Sequence, residues 1–547
     1  MTEKIISNVM SDVLGETYTY LKSIYSNKDI MILKQMLLNL SGIKKFEFKI
    51  IKERNYSYDN IQEILSTLNE KESIRKSKGV YYTPNDVVRF IIENSIKSVC
   101  GKLNANGLHV MDLNGISYRS FCFYKSLIDP TCGAGEFLLA ALEIKFDLLD
   151  NNVEKITEKM IKDSISTIYG NDINDESTFI SKIRLFLCAL KRYGLKRCYG
   201  IDQILNRNFT NWDFISETPD FGMKFDIIIG NPPYIEDGKS NLLLRKKYGN
   251  VYANVLSNSS ELLNDNGTLG FVIPLSYIST PRMKIIRDEL LSDISEQYIL
   301  SYADRPDCLF KSVHQKLCII IGKKKKTDKR VYTGNYQYWY KEERIGLFER
   351  TSVVKNDFAT NGYIPKLGTE TDVAVYKKIC GIKNHTRLID LTGSGNEYVY
   401  LNMRAAFWIK AFRKKHMGSE YKPFGFTNSE MADYFFCLMN SSLFWWYWIC
   451  VSDCWHITNK ELYGFLVPSL KNYELATKLA GELEERLEKT KLYVGTKQTE
   501  YEYKHKFCTN EIHAIDDFIN ALYGLTDDES LYIKNFAYRY RISGGTE

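Results

Sequence analysis

Histidine is scarce in this sequence, with seven in 547 residues, and its twelve cysteines never fall into the paired spacing of a metal site. Only Cys450, Cys454 and His456 lie close together, with no second ligand pair nearby, so no metal is expected and the cysteines read as core residues. Apolar runs are short. The longest, Phe435 to Val451, is interrupted by Asn440, Ser441 and Ser442 and falls below the roughly 20 residues of a spanning helix, so no membrane partner is expected. The first residues, MTEKIISNVMSDVLGE, carry acids and lack the apolar core of a leader, which places the expected setting in a reducing prokaryotic cytoplasm, near the nucleoid. An excess of one charge sign is also missing: 73 basic against 67 acidic residues give +6, which permits a polyanionic partner without requiring one. Internal repeats and low-complexity tracts are absent, and a hydrophobic fraction of 44% with 26% charged residues suits a folded globular chain. At this length roughly two or three domains are expected.

What is present changes character along the chain. Residues 1–74 carry helical periodicity (TYTYLKSIYSNKDIMILKQMLLNL, YDNIQEILSTLNEKES) and no catalytic pattern, which predicts a helical extension. From 75 to 326, short apolar runs end in Gly or Asp and alternate with helical segments: SLIDPTCGAG, STIYGNDIND, KFDIIIGNPPY, GTLGFVIPLSY and QKLCIIIGKK. That alternation predicts a wound, mostly parallel sheet. The run Lys323 to Lys326 marks a boundary. Residues 327–547 form the remaining unit, rich in Tyr and Trp, with one clear amphipathic helix in NYELATKLAGELEERLEKTKLY.

In an open parallel sheet, ligands collect beyond the carboxyl ends of the strands. Three such ends stand out. Asp129-Pro130-Thr131-Cys132-Gly133-Ala134-Gly135 closes a strand with an acid and a glycine turn through which a ligand can approach the backbone. The dinucleotide fingerprint GxGxxG is missing, which argues against a nicotinamide or flavin cofactor. Asp172 and Ile173 follow a second strand, where an acid can accept from two ribose hydroxyls. Asp213 and Phe214 offer a carboxylate for an amino group and a ring to cover a heterocycle.

The most specific motif is Phe225 to Tyr234, an apolar strand that stops in Asn231-Pro232-Pro233-Tyr234. Consecutive prolines cannot continue a central strand, and they fix the direction of their carbonyls. The amine of a nucleobase is a poor nucleophile because its lone pair is delocalised into the ring. The Asn231 oxygen and the Pro232 carbonyl can each accept one amino hydrogen and stabilise the positive charge that develops. Tyr234 can then stack on a base taken out of the helix.

With Lys78-Gly79-Val80-Tyr81-Tyr82-Thr83-Pro84 upstream, this order of motifs resembles the DNA adenine-N6 methyltransferases of restriction-modification systems, in the gamma, TaqI-like arrangement. The resemblance implies a Rossmann-like, S-adenosylmethionine-dependent methyltransferase fold with a mixed seven-stranded sheet. It further implies a C-terminal mixed α+β domain that recognises double-stranded DNA. Its implied cofactor is S-adenosyl-L-methionine. Tyr82 and Thr83 would border its methionine part, and Asp129, Pro130, Cys132, Gly133 and Gly135 would wrap it. Asp172 would hold the ribose, Asp213 would read the adenine between Ile173 and Phe214, and Asn231 and Pro232 would face the methyl group. Phe310 would stack on the target base opposite Tyr234. A separate restriction endonuclease or a second methyltransferase is the implied partner.

Three other classes compete, one of them a non-catalytic DNA-binding regulator, which would not need an intact acceptor pair at Asn231 and Pro232. A protein-glutamine methyltransferase uses the same turn on an amide nitrogen, but such enzymes are short and lack the leading Tyr-Tyr-Thr-Pro. A bifunctional enzyme that also cuts DNA needs a nuclease constellation, of which Glu47 and Lys49 in KKFEFKIIKE mimic only the end. Lys323 to Lys326, Lys329, Arg330, Arg404, Lys410 and Arg413 to Lys415 are candidate phosphate contacts or, equally, solvated faces. The run Phe444 to Trp448 reads as core rather than as a stacking platform.

Overall fold

The computed structural model describes residues 7–51, 56–68, 83–216, 220–240, 243–310, 314–359, 362–416, 418–495 and 500–543. Nine strands make the main sheet: β1 Leu127–Asp129, β2 Ile168–Asn171, β3 Phe209–Thr210, β4 Phe225–Gly230, β5 Leu263–Pro274, β6 Glu296–Tyr302, β7 Leu317–Lys323, β8 Arg330–Gln337 and β9 Val354–Lys355. Their order is β3-β2-β1-β4-β5-β7-β6-β8-β9. β1 to β5 pair in parallel, and β7 lies antiparallel between β5 and β6. The expected sheet of seven strands with one reversed is therefore present as β1 to β7, but the count is corrected to nine. β8 pairs parallel with β6, and β9 closes the edge antiparallel. The sheet thus continues past the lysine run at 323–326 instead of ending there.

Covering helices on both faces explain the unbroken apolar runs. β1 and β7 are buried at every residue, as sheet strands flanked by helices must be. One such helix, Asn85–Val99, crosses β5, where Gly270 lets it approach: a methyl group added there would lie 2.5 Å from Ser95 Oγ and 2.8 Å from Ile91 Cγ2. Ser98 and Thr268 hydroxyls bond at 2.6 Å beneath it.

The N-terminal extension forms the helices Asn8–Ile24, Asn27–Ser41 and Tyr58–Thr67, each started by a serine cap (Ser7, Ser26, Ser57). It docks on the helix Asp175–Cys198, where Arg184 Nε donates to Gln62 Oε1 at 2.9 Å and Gln62 Nε2 donates to the Arg184 carbonyl at 3.1 Å. Residues 45–50, around Glu47 and Lys49, form no strand.

Beyond the sheet, β10 His385–Arg387 pairs with β14 Leu466–Pro468, and β11 Glu397–Asn402 lies between β12 Ala411–Phe412 and β13 Tyr421–Phe426. The helices Ser429–Asn440, Ser442–Val451 and Glu474–Thr490 pack beside them. Phe444 to Trp448 are at most 1% exposed, so the aromatic run is core. The lysine run is tied down as well: Lys323 donates to the Ser98 carbonyl, Lys324 to the Ser260 carbonyl and Lys325 to Glu296, while Lys326 lies 3.7 Å from Asp265. Those lysines cap the bottom of the sheet. Of the described residues, no helix is long and apolar enough to cross a membrane.

Candidate functional site

The site is built from strand ends at one edge of the sheet. At the end of β1, the Asp129 carboxylate is 2% exposed and accepts from the Thr131 N–H at 3.0 Å. Burial pushes its pKa up to about 8, and the charge of Asp172 adds to the rise. The chain then turns through Gly133 (φ +53°) and Gly135 (φ +84°), where only glycine is unstrained. A methyl group at Gly135 would lie 2.7 Å from Ser181 Oγ, and that hydroxyl donates to the Gly133 carbonyl at 2.7 Å. At Gly133 the added methyl would meet open space. Behind the turn, Cys132 is buried and its N–H donates to the Asn171 carbonyl at 2.8 Å.

Asp172, at the end of β2, accepts from the Gly133 N–H at 2.9 Å and from the Asn174 N–H at 2.8 Å, so the second strand end grips the glycine turn directly. Asn171 clips three strand ends together. Its Nδ2 donates to the Pro130 and Trp212 carbonyls at 3.0 and 3.1 Å, and its Oδ1 accepts from Thr210 Oγ1 and Trp212 N. This buried asparagine stood in the Tyr-Gly-Asn-Asp run but carried no role by sequence. Ile173 is exposed beside it, whereas Phe214 is 3% exposed. Asp213 is engaged within its own turn, accepting from Ile215 N and Ser216 N at 3.1 Å each and from Ser216 Oγ at 2.5 Å.

The Asn-Pro-Pro-Tyr turn follows β4, the neighbour of β1. Contact between the two strand ends is tight: a methyl group on Gly230 would lie 2.7 Å from Asp129 Oδ1. Asn231 Nδ2 donates to Thr83 Oγ1 at 3.0 Å, and Thr83 is 3% exposed at the start of the Asn85–Val99 helix. Pro232 is buried, Pro233 half-buried. Tyr234 donates its hydroxyl to the Val272 carbonyl on β5 at 2.8 Å and meets Tyr252 edge-on at 6.5 Å. Tyr82 lies outside the described residues. Phe310 is 1% exposed, so the ring expected to stack on a base is covered in this conformation.

A buried carboxyl, a positive-φ glycine that faces open space and a second carboxylate already taking backbone N–H groups suit one kind of ligand. It carries a cationic group for Asp129 and hydroxyl donors for Asp172. This cradle lies one strand away from the rigid Asn231 turn. Residues 166–307 match the Eco57I restriction-modification methylase model, and the chain carries a methylase domain of this type.

Among curated relatives, the chain is 23% identical over 260 residues to the type II methyltransferase M.VspI of Vibrio sp. (strain 343), which is 46% of this chain and 50% of that protein. It is 27% identical over 271 residues to the modification methylase CviBIII of Paramecium bursaria Chlorella virus NC1A, covering 48% and 53%. The chain therefore spans about half the length of these relatives. In overall fold it is similar to the type IIL restriction-modification enzyme MmeI, solved in complex with DNA, with a TM-score of 0.52, 11% identity, and coverage of 98% of this chain and 99% of that one.

Proposed function

We infer that the chain transfers a methyl group from S-adenosyl-L-methionine to the N6 amine of an adenine turned out of double-stranded DNA, as the modification enzyme of a restriction-modification system. One observation carries this reading: the acceptor turn and the glycine cradle meet, with Gly230 against Asp129 and Asn231 bonded to Thr83. Residues 327–547 would supply the DNA-recognition domain, beginning within the edge of the sheet.

When bound, S-adenosyl-L-methionine supplies an electrophilic methyl on a sulfonium. Asp129 would face the cationic amino acid part, Asp172 the ribose hydroxyls, and the remaining Asp213 lone pairs the adenine. With its nitrogen committed to Thr83, the Asn231 amide is oriented, and its oxygen points the opposite way. That oxygen and the Pro232 carbonyl accept the two amino hydrogens of the target base, which localises the nitrogen lone pair and stabilises the ammonium character of the transition state. No strong base is needed. Tyr234, anchored through its hydroxyl, gives the base a face held in place before it arrives.

Asn231→Ala tests this. Cofactor affinity should stay near that of the unaltered chain while methyl transfer falls by about 10²–10³, the loss typical of one removed polar contact to a transition state. Sequencing modified bases in DNA from cells that express the chain gives the product, and the absence of N6-methyladenine there refutes the reading.

A further inference from the structure

A cavity opens at the same edge of the sheet as the Asn231 turn. β6 and β8 run in the direction of β4, and β7 runs oppositely, so residues after β6, before β7 and after β8 share that edge. Asp304, Arg305, Lys316 and Tyr338 occupy those positions, and with Arg404, Phe407, Lys410 and Trp455 of the C-terminal region they help line a cavity of about 390 Å³. That volume is within the roughly 300–1,000 Å³ of ligand sites.

Its chemistry has two halves. Among the described residues four cations and one acid line it, and that acid, Asp304, is already paired with Lys316 at 3.2 Å. Arg404 is shared with Glu420 at 3.2 Å, whereas Arg305 has no carboxylate partner among the described residues. The aromatic half centres on Trp455, 39% exposed although its backbone is pinned: its N–H donates to Asp453 Oδ1 at 2.9 Å and its carbonyl accepts from Ala405 N at 3.2 Å. Cys454, just before it, adopts φ +55°, a left-handed backbone that a side chain rarely takes. Strain of that kind persists where the surroundings enforce it, often at binding sites. Lys316 Nζ sits 4.2 Å from the Trp455 ring centre and the Arg305 guanidinium 6.0 Å, so the indole is an electron-rich platform beside the cations.

We propose that this cavity holds one nucleotide of the DNA strand, its base against Trp455 and its phosphate among Arg305, Lys316 and Lys410. An aromatic face accepts any base, and clustered cations track the backbone. Three strand spacings separate β4 from β6, about 14 Å. The proposal rests on the methylation reading for its substrate but has its own readout.

The experiment titrates the full chain into fluorescein-labelled single-stranded oligothymidylate and follows anisotropy, with S-adenosylmethionine affinity measured in parallel. Trp455→Ala should weaken strand binding by about 5- to 100-fold, the range for one lost base stack, and Trp455→Phe should restore most of it. Arg305→Ala should weaken it and flatten its salt dependence. Cofactor affinity should hold in all three, which shows the fold intact. Unchanged strand binding in Trp455→Ala and Arg305→Ala overturns the proposal. It is also overturned if thymidine monophosphate occupies the site in a Trp455-dependent way while strand binding ignores both changes, because the site then serves a free nucleotide. A chain that binds the strand through Trp455 yet methylates nothing breaks the methylation reading alone.

Discussion

Thr83 lies 148 residues before Asn231 and meets it at 3.0 Å, a contact that no local pattern could announce. It sets the amide's orientation, so Thr83→Val should leave the turn intact and free the amide to rotate. Losing one hydrogen bond costs about 1 kcal/mol, and kcat should fall about fivefold with KM for DNA little changed. Steady-state kinetics checks this, and a drop as large as that of Asn231→Ala would give Thr83 a more direct role. Asp129 makes a pH prediction. Its folded pKa of about 8 exceeds the ordinary carboxyl value, so the folded chain holds a proton that the unfolded chain has released. Its contribution to stability is present at low pH and declines as pH rises from about 4 to 8. A cationic ligand reverses the preference, so binding of S-adenosylmethionine at pH 7 should release a proton. Calorimetry in buffers of different ionisation enthalpy reads that release, and Asp129→Asn should abolish it. At this scale the sequence marked candidate residues wherever a motif is contiguous, as in Asn231 to Tyr234, which the fold sets beside Thr83 and Asp129. Burial and local bonding were not legible in it: Phe310 looks available in the string and is covered in this conformation, and Asp213 accepts from its own turn.

The glycine turn between β1 and its helix shows how an element constrains substitution. Gly133 and Gly135 both take positive φ, so alanine is strained at either, at roughly 1 kcal/mol. They differ in surroundings. Open space lies beside Gly133, whereas at Gly135 the added methyl would press within 2.7 Å of Ser181 Oγ, whose hydroxyl supports the turn. Gly135→Ala should therefore lower thermal stability more than Gly133→Ala and should also weaken cofactor binding. Melting curves and a binding titration separate the two, and equal effects would show that Ser181 yields freely. Strands β1, β2, β4, β5 and β7 were legible because burial on both faces demands continuous apolar runs. β3 is two residues long, and β6 and β8 mix Tyr, Ser, Gln and Thr with aliphatic residues, so neither period nor length marked them. Lysines at 323–326 looked like a solvated linker because their carbonyl partners, at Ser98 and Ser260, lie far away in sequence.

At the scale of the molecule, the C-terminal region is held to the sheet by residues with no visible pattern. The short helix Tyr538–Ile542 returns to the segment after β8, where Tyr540 stacks 5.7 Å from Tyr338 and donates its hydroxyl to Glu343 Oε2 at 2.9 Å. Next to it, Arg541 is 3% exposed, its guanidinium 4.0 Å from the Trp408 ring centre and 4.4 Å from that of Trp445. Nε donates to the Phe407 carbonyl at 3.1 Å and Nη1 to Ser442 Oγ at 3.3 Å, while burial draws its pKa down to about 10. The guanidinium lies against two indoles while donating to a carbonyl and a hydroxyl, a combination that a lysine ammonium cannot fully copy. Arg541→Ala empties that slot and should cost about 2–4 kcal/mol, with Arg541→Lys recovering only part of it. Because a chain of several packed units need not unfold in one step, the loss should be read locally. Amide exchange should quicken in Ser442–Val451 and across residues 402–412 while the strands β1 and β4 stay protected. Uniform loss of protection would mean that the sheet and the C-terminal region unfold as one unit, with Arg541 stabilising both.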